Sequence, residues 1–299
     1  MGMDVNDDED VREDEAPDEA TAAVDALVAE AESLGAEERW DQAQTLLLEA
    51  LPDYPRDPLL LCWLGIACER VGAESEAYDF FRRCLAEEPS DPFILAAAGT
   101  GVAMYDDPDA EGALRLAAIT APQFPFARSA YGAYLAREGL FDDALRELTA
   151  ARDLAPDDAA IRAELGVAML LAKHTEEGVT ELEEALARSD DAWLRGLYAL
   201  ALLETGRSEE GAEHLYKASR ERLDDVEIHL LSALASAAEG WDEEAWAAVA
   251  RAEDAADAVD RALVQEVEEA VGDGPDAARD FLGHQLGPSL LRERLHQRV

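Results

Sequence analysis

Residues 61–89 read LCWLGIACERVGAESEAYDFFRRCLAEEP. Leu61, Leu64, Gly65 and Cys68 fall at helical spacing, and so do Ala77 and Phe81 after the break at Gly72. Apolar residues three and four apart share one face of an α-helix, so the stretch predicts two amphipathic helices joined by a turn and closed by Pro89. The pattern recurs along the chain. Gly65, Gly99, Gly132, Gly166, Ala199 and Ala233 follow one another at gaps of 34, 33, 34, 33 and 34 residues. A second series of small residues runs Ala43, Ala77, Gly112, Ala144, Gly178, Gly211 and Ala245, at gaps of 34, 35, 32, 34, 33 and 34. A small residue on each helix of a pair lets the two backbones approach closely. Turns fall between the series at Gly72, Gly139, Gly206 and Gly240. Acidic first turns such as Asp142-Asp143 and Glu243-Glu244 follow them, where a helix dipole favours negative charge.

The chain has 299 residues, with 68 Asp and Glu against 25 Lys and Arg, a formal net charge of −43. Only Lys173 and Lys217 are lysine. Apolar residues make up 48%, too many for a wholly disordered acidic chain. Such a charge opposes binding to nucleic acid and to anionic membranes. No amino-terminal leader is apparent, and the longest apolar run, Leu59 to Cys68, is too short to span a bilayer. A cytoplasmic protein is the expectation. The acidity and scarcity of lysine resemble proteins of salt-in halophiles, whose charge is screened by concentrated salt.

No catalytic or metal-binding pattern stands out. Gly99-Thr100-Gly101 lacks the rest of a dinucleotide motif. Asp107, Asp109 and Glu111 imitate a calcium loop, but Ala118 stands where a bidentate carboxylate is needed. Cys62, Cys68 and Cys84 read as small core residues, and His229 as a packed one. Neither catalysis nor a cofactor or metal is expected.

The repeated unit resembles the tetratricopeptide repeat (TPR) family. Leu61-x-x-Leu64-Gly65-x-x-Cys68 with Ala77-x-x-x-Phe81 and Pro89 carries the likeness, as do Tyr131-Gly132-x-x-Leu135 with Ala144-x-x-x-Leu148 and Pro156. The resemblance implies an all-α, right-handed superhelical solenoid of antiparallel helix pairs. The expected organisation is an acidic tail over 1–20, about seven repeats over 21–257, a degenerate eighth pair over 258–287 and a capping helix over 288–299. Repeat three departs from the pattern, with an extra turn residue near Asp106-Asp107-Pro108-Asp109 and a shortened exit through Pro122 and Pro125. In the family, the first helix of each pair lines a concave binding surface. Carried over, its positions are Leu59, Ile66 and Arg70 in repeat two; Phe93 and Thr100 in repeat three; Phe126, Ser129 and Arg137 in repeat four; Val167 and Leu171 in repeat five; Trp193 and Leu200 in repeat six; and Leu230 and Leu234 in repeat seven. The lining is mostly apolar and suits a protein or peptide segment with an apolar face. Arg70 and Arg137 are placed to meet an acidic group on that partner. The function implied is a non-catalytic scaffold, with homo-oligomer formation open. The alternative is an acidic chaperone or regulator that holds a basic protein on its outer face.

Overall fold

The computed structural model describes residues 19–289, and their regular elements are sixteen α-helices and one short π-helical segment, with no strand among them. Most of the acidic segment expected over 1–20, and most of the capping helix expected over 288–299, lie outside the described residues. The chain divides into two compact units, one ending at Glu87 and the other starting at Glu88. The first holds α1 (Glu19–Ala36), α2 (Trp40–Ala50), α3 (Pro58–Arg70) and α4 (Glu74–Ala86). The second holds α5 (Pro92–Ala103), α6 (Asp109–Thr120), α7 (Pro125–Arg137), α8 (Phe141–Leu154), α9 (Ala159–Leu171) and α10 (Thr175–Leu186). It continues with α11 (Ala192–Glu204), α12 (Ser208–Glu221), α13 (Val226–Ala238), α14 (Asp242–Ala255), α15 (Arg261–Gly272), α16 (Pro275–Phe281) and the π-helical Leu282–Leu286.

Each odd-numbered helix packs antiparallel on the even-numbered one that follows, and short turns make every pair a helical hairpin. In the second unit the odd helices from α5 to α13 also touch one another in sequence, forming an inner row, while the even helices form an outer one. Close approach within a pair comes from the small residues. A Cβ built on Gly132 would meet Leu148 Cγ at 2.7 Å, and one on Gly166 would meet Leu182 Cγ at 2.7 Å. In the first unit, a Cβ on Gly65 would run into the Phe81 ring at 2.5 Å.

Repeat three corrects the second small-residue series. Gly112 is exposed, and a Cβ there would meet nothing within 4 Å. The residue at the crossing is Ala110, buried at 1% exposure, with Leu114 four residues on lying against Gly99. With Ala110 the gaps from Ala77 and to Ala144 become 33 and 34, so the backbone register is more regular than the glycines suggested.

The inner helices have well-formed beginnings. Asp57, Asp91, Asp158, Asp191 and Asp225 cap α3, α5, α9, α11 and α13, each carboxylate accepting from a backbone N–H in the first turn. Such a cap satisfies an otherwise orphaned donor and contributes about 1 kcal/mol. Helix α7 breaks the rule: Phe124 occupies its cap position and supplies no side-chain acceptor. That gap lies at the shortened exit through Pro122 and Pro125. The turn after α5 is irregular too, with Asp106 at φ 53° and the buried Asp107 carboxylate accepting from Asp109 N at 2.9 Å. Asp107 therefore has a local turn-forming role.

Candidate interaction surface

The inner row of the second unit carries most of the positions expected to contact a partner. Phe93 near the start of α5 and Phe126 near the start of α7 are half-buried, their ring centroids 5.7 Å apart. Phe124 stands edge-on to Phe126 at 6.0 Å. Three aromatic rings thus cluster where successive inner helices begin, and the uncapped start of α7 supplies two of them. Further along, Leu171 and Trp193 are also half-buried, and the Trp193 indole N–H is buried without a hydrogen-bond acceptor.

The remaining positions are placed differently. Val167, Ser129, Leu230 and Leu234 have no exposed surface, while Ile66, Leu200 and Thr100 are 5%, 5% and 8% exposed. The Thr100 hydroxyl donates to Ala96 O at 2.9 Å within its own helix. Six of the seven pack the helices together and leave little or no surface for a groove ligand, contrary to expectation, while Leu200 keeps a small exposed edge on a cavity beside the C-terminal segment. The cause is the abundance of alanine and glycine, which draws the helices close enough to enclose medium-sized side chains. For Leu200, Leu230 and Leu234 a second cause operates. Helix α13 is buried along Ile228–Ala238 without interruption, and α16 and the π-helical segment pack against it. Leu282 and Leu286 join the same core as Leu230 and Leu234, so the chain's own C-terminal elements contribute to enclosing these positions.

Arg137 also differs from expectation. It donates to Ala103 O, pairs with Asp106 at 2.9 Å and lies 5.6 Å from the Tyr134 ring centroid. It ties repeat three to repeat four, and its donors are engaged inside the fold. In the first unit Leu59 is half-buried, and Arg70 is exposed with its guanidinium 5.6 Å from the Trp40 ring centroid.

Beside Arg70, one Glu69 carboxylate oxygen is buried and lacks a hydrogen bond. Burial, aided by Glu74 and opposed by Arg70, pushes the carboxyl from the ordinary 4.5 up to about 7. The folded state therefore holds a proton that the unfolded state releases, and this group's stability contribution falls as pH rises from 4.5 to 7. Glu69→Gln is expected to stabilise the first unit by about 1–3 kcal/mol at pH 8.5, with the gain shrinking toward pH 4.5. Thermal unfolding of both proteins at the two pH values checks this.

A second buried polar network joins α12, α13 and α14. His229 Nδ1 lies 2.9 Å from Ser219 Oγ, which Arg251 Nη2 also reaches at 2.9 Å. Burial lowers the His229 pKa and favours the neutral ring, which explains a histidine inside an otherwise apolar helix. The three cysteines are buried and none forms a disulfide. Among the described residues no group of three or more His, Cys, Asp or Glu is placed to hold a metal, and no helix is long and apolar enough to cross a membrane.

No family model and no curated protein matches the sequence. Solved structures do match. A tetratricopeptide repeat protein from Parabacteroides merdae aligns at TM-score 0.61 and 15% identity, over 84% of this chain and 99% of that one. A chain of the APC/C hetero-tetramer Cut9–Hcn1 aligns at TM-score 0.63 and 15% identity, over 79% of this chain and 48% of the other. PilW, a type IV pilus biogenesis factor, aligns at TM-score 0.54 and 17% identity, over 67% and 92%. With the helix pairs and their small-residue crossings, these likenesses establish an all-α, TPR-like solenoid fold.

Proposed function

We propose that the protein is a non-catalytic protein–protein interaction scaffold, and that a partner segment with an apolar face docks on the inner row of the second unit. The observation that carries this reading is the Phe93–Phe126–Phe124 cluster. These rings remain half-buried on a row where Val167, Leu230 and Leu234 are packed away. Large aromatic side chains dominate interface energetics because they bury much apolar area at little cost in side-chain entropy. Leu171 and Trp193 extend the proposed contact along α9 and α11. In the first unit, Leu59 and Arg70 are the corresponding candidates. An apolar contact of this kind holds or strengthens in concentrated salt, whereas capture of a basic protein by surface charge weakens.

The test replaces Phe126 with a photo-crosslinking phenylalanine analogue and irradiates native-source lysate in 2 M KCl. One dominant adduct is expected, and introducing Trp193→Ala into the same protein is expected to cut its yield at least fivefold without loss of helicity. Adducts that form only at low salt would transfer the function to the acidic outer face. An unchanged yield with Trp193→Ala would remove that residue from the surface.

A further inference from the structure

A cavity of about 410 Å³ lies in the second unit, away from the aromatic cluster. Leu200 and Leu203 of α11, Ala238 of α13, and Leu282 and Pro288 of the C-terminal segment give it an apolar interior. Its volume is at the small end of the range for ligand-sized pockets, roughly 300–1,000 Å³, which suits one or two aliphatic side chains better than a whole helix.

The rim has the opposite character. Glu204 ends α11 and Glu239 caps the end of α13, so two carboxylates stand where two helix dipoles already place partial negative charge. Neither carboxylate forms an ion pair among the described residues. An adjoining shelf shares Gly206, Ser208 and Glu239 with the cavity and adds Glu209, Glu210 and Glu213. Arg279 lines the cavity and Arg207 the shelf, but neither pairs with Glu204 or Glu239. Arg279 pairs with Asp276 at 3.1 Å and donates to Ala238 O at 2.5 Å, and Arg207 forks onto Glu210 at 2.7 Å. His284 is directed to Asp280, 3.2 Å away.

We infer that this cavity is a second docking site, and that its occupant is a partner peptide segment presenting an aliphatic side chain with an arginine or lysine one to three residues away. The aliphatic group fills the space between Leu200, Leu203 and Leu282. The cation lies on Glu204 and Glu239 and meets the carbonyl ends of α11 and α13. Charge complementarity selects this partner over an acidic or purely apolar segment, because any ligand seated there desolvates two like charges that only a cation compensates. The site is independent of the aromatic row, so either can fail alone.

The probe is a fluorescein-labelled nine-residue peptide containing Leu-Leu-Gly-Arg-Arg between Gly-Ser flanks, followed by anisotropy with the full chain in KCl sufficient for full helicity. Glu204→Gln with Glu239→Gln is expected to weaken binding at least tenfold. Gly283→Trp, built where a Cβ meets nothing within 4 Å, is expected to block the cavity and abolish binding without altering the rim charge. Glu176→Gln with Glu177→Gln, an equal charge change at the start of α10, should leave binding within twofold. Replacing the peptide's leucines with serine, or its arginines with glutamine, should each cost at least fivefold. The inference is overturned if Gly283→Trp binds like the native protein, or if the two glutamine pairs act alike, since bulk charge would then suffice. It is equally overturned if full-length Arg292→Gln with Arg294→Gln binds the peptide tenfold more tightly, because the chain's own residues 290–299 would then be the occupant.

Discussion

Replacing Gly178 by valine is expected to destabilise the second unit by about 3 kcal/mol or more, while replacing Gly112 by alanine is expected to stabilise it by about 0.5–1 kcal/mol. Both glycines belong to the same apparent repeat series, so the opposite signs rest entirely on local geometry. At Gly178 a Cβ would lie 2.9 Å from Gly166 O and 3.0 Å from Leu170 Cγ. The first of these is backbone, which a rotamer change cannot relieve. Gly166 faces it reciprocally, its own Cβ position 3.1 Å from Gly178 O, so α9 and α10 cross backbone to backbone. Valine would force the pair apart and expose Leu182, Leu165 and Ala185, all of which are now fully buried. Gly211 is held the same way by Ala199 O at 2.9 Å, and Gly211→Val should behave like Gly178→Val. At Gly112 the helix has open space, so alanine only removes the conformational entropy that glycine carries in the unfolded chain. Thermal melts separate the cases: a fall of roughly 6–12 °C for the valine variants and a rise of about 1–4 °C for Gly112→Ala. A Gly178→Val protein that melts like the native one would show that the helix crossings do not need their small residues.

The same comparison shows where a sequence of this kind is legible. A helix crossing imposes a steric requirement on one residue per helix, and the requirement returns every 33 or 34 positions, so it is written plainly at Gly65, Gly99, Gly132 and Gly166. At Gly112 residue type misled where spacing did not: Ala110 keeps the period, but a glycine two residues on looks like the stronger signal. The aspartate caps at 57, 91, 158, 191 and 225 keep nearly the same period, with one place skipped at α7, and were legible in principle, because Asp stands directly before each of the other inner helices from α3 to α13. The contact surface was less legible. Positions carried over from a family name a face of a helix, not how much of that face its neighbours cover. Here Val167, Ser129 and Ile66 fall inside the packing. Nothing periodic announces that Leu282 and Leu286 belong to the core that holds Leu230 and Leu234, because elements that close a repeat array depart from the repeat by their nature.

In dilute buffer the protein is expected to lose most of its helicity, and to regain it above roughly 1 M KCl. The reason lies in where the excess charge sits. In the second unit, the first turns of α6, α8, α10, α12 and α14 carry Asp109 and Glu111; Asp142 and Asp143; Glu176 and Glu177; Glu209 and Glu210; and Asp242, Glu243 and Glu244. Inner helices α5, α7, α9 and α11 have no acidic residue in the first turn. Each acidic group is individually favoured by its own helix dipole, by about 0.3–1 kcal/mol. Stacking the repeats then lines these groups up at one end of successive outer helices. Successive outer helices scarcely touch, and two unit charges about 10–15 Å apart repel by about 0.3–0.4 kcal/mol in water. Some four such pairs at each junction give about 1–1.5 kcal/mol, and several junctions together reach the lower part of the 5–15 kcal/mol that stabilises a typical domain. Few cations offset this row: Arg146 meets Asp143 and Arg207 meets Glu210, but with 25 basic residues against 68 acidic ones most carboxylates have no counter-charge. At 1 M salt the Debye length is about 3 Å, the repulsion between rows vanishes, and the dipole contributions within each helix suffer less because they act over shorter distances. Circular dichroism at 222 nm through a KCl titration measures the effect. Tetramethylammonium chloride, which screens equally, should restore helicity as KCl does, whereas sucrose should restore much less. Full helicity at 50 mM KCl would show that packing alone outweighs the repulsion, and rescue by sucrose equal to that by salt would assign the effect to preferential exclusion instead of screening.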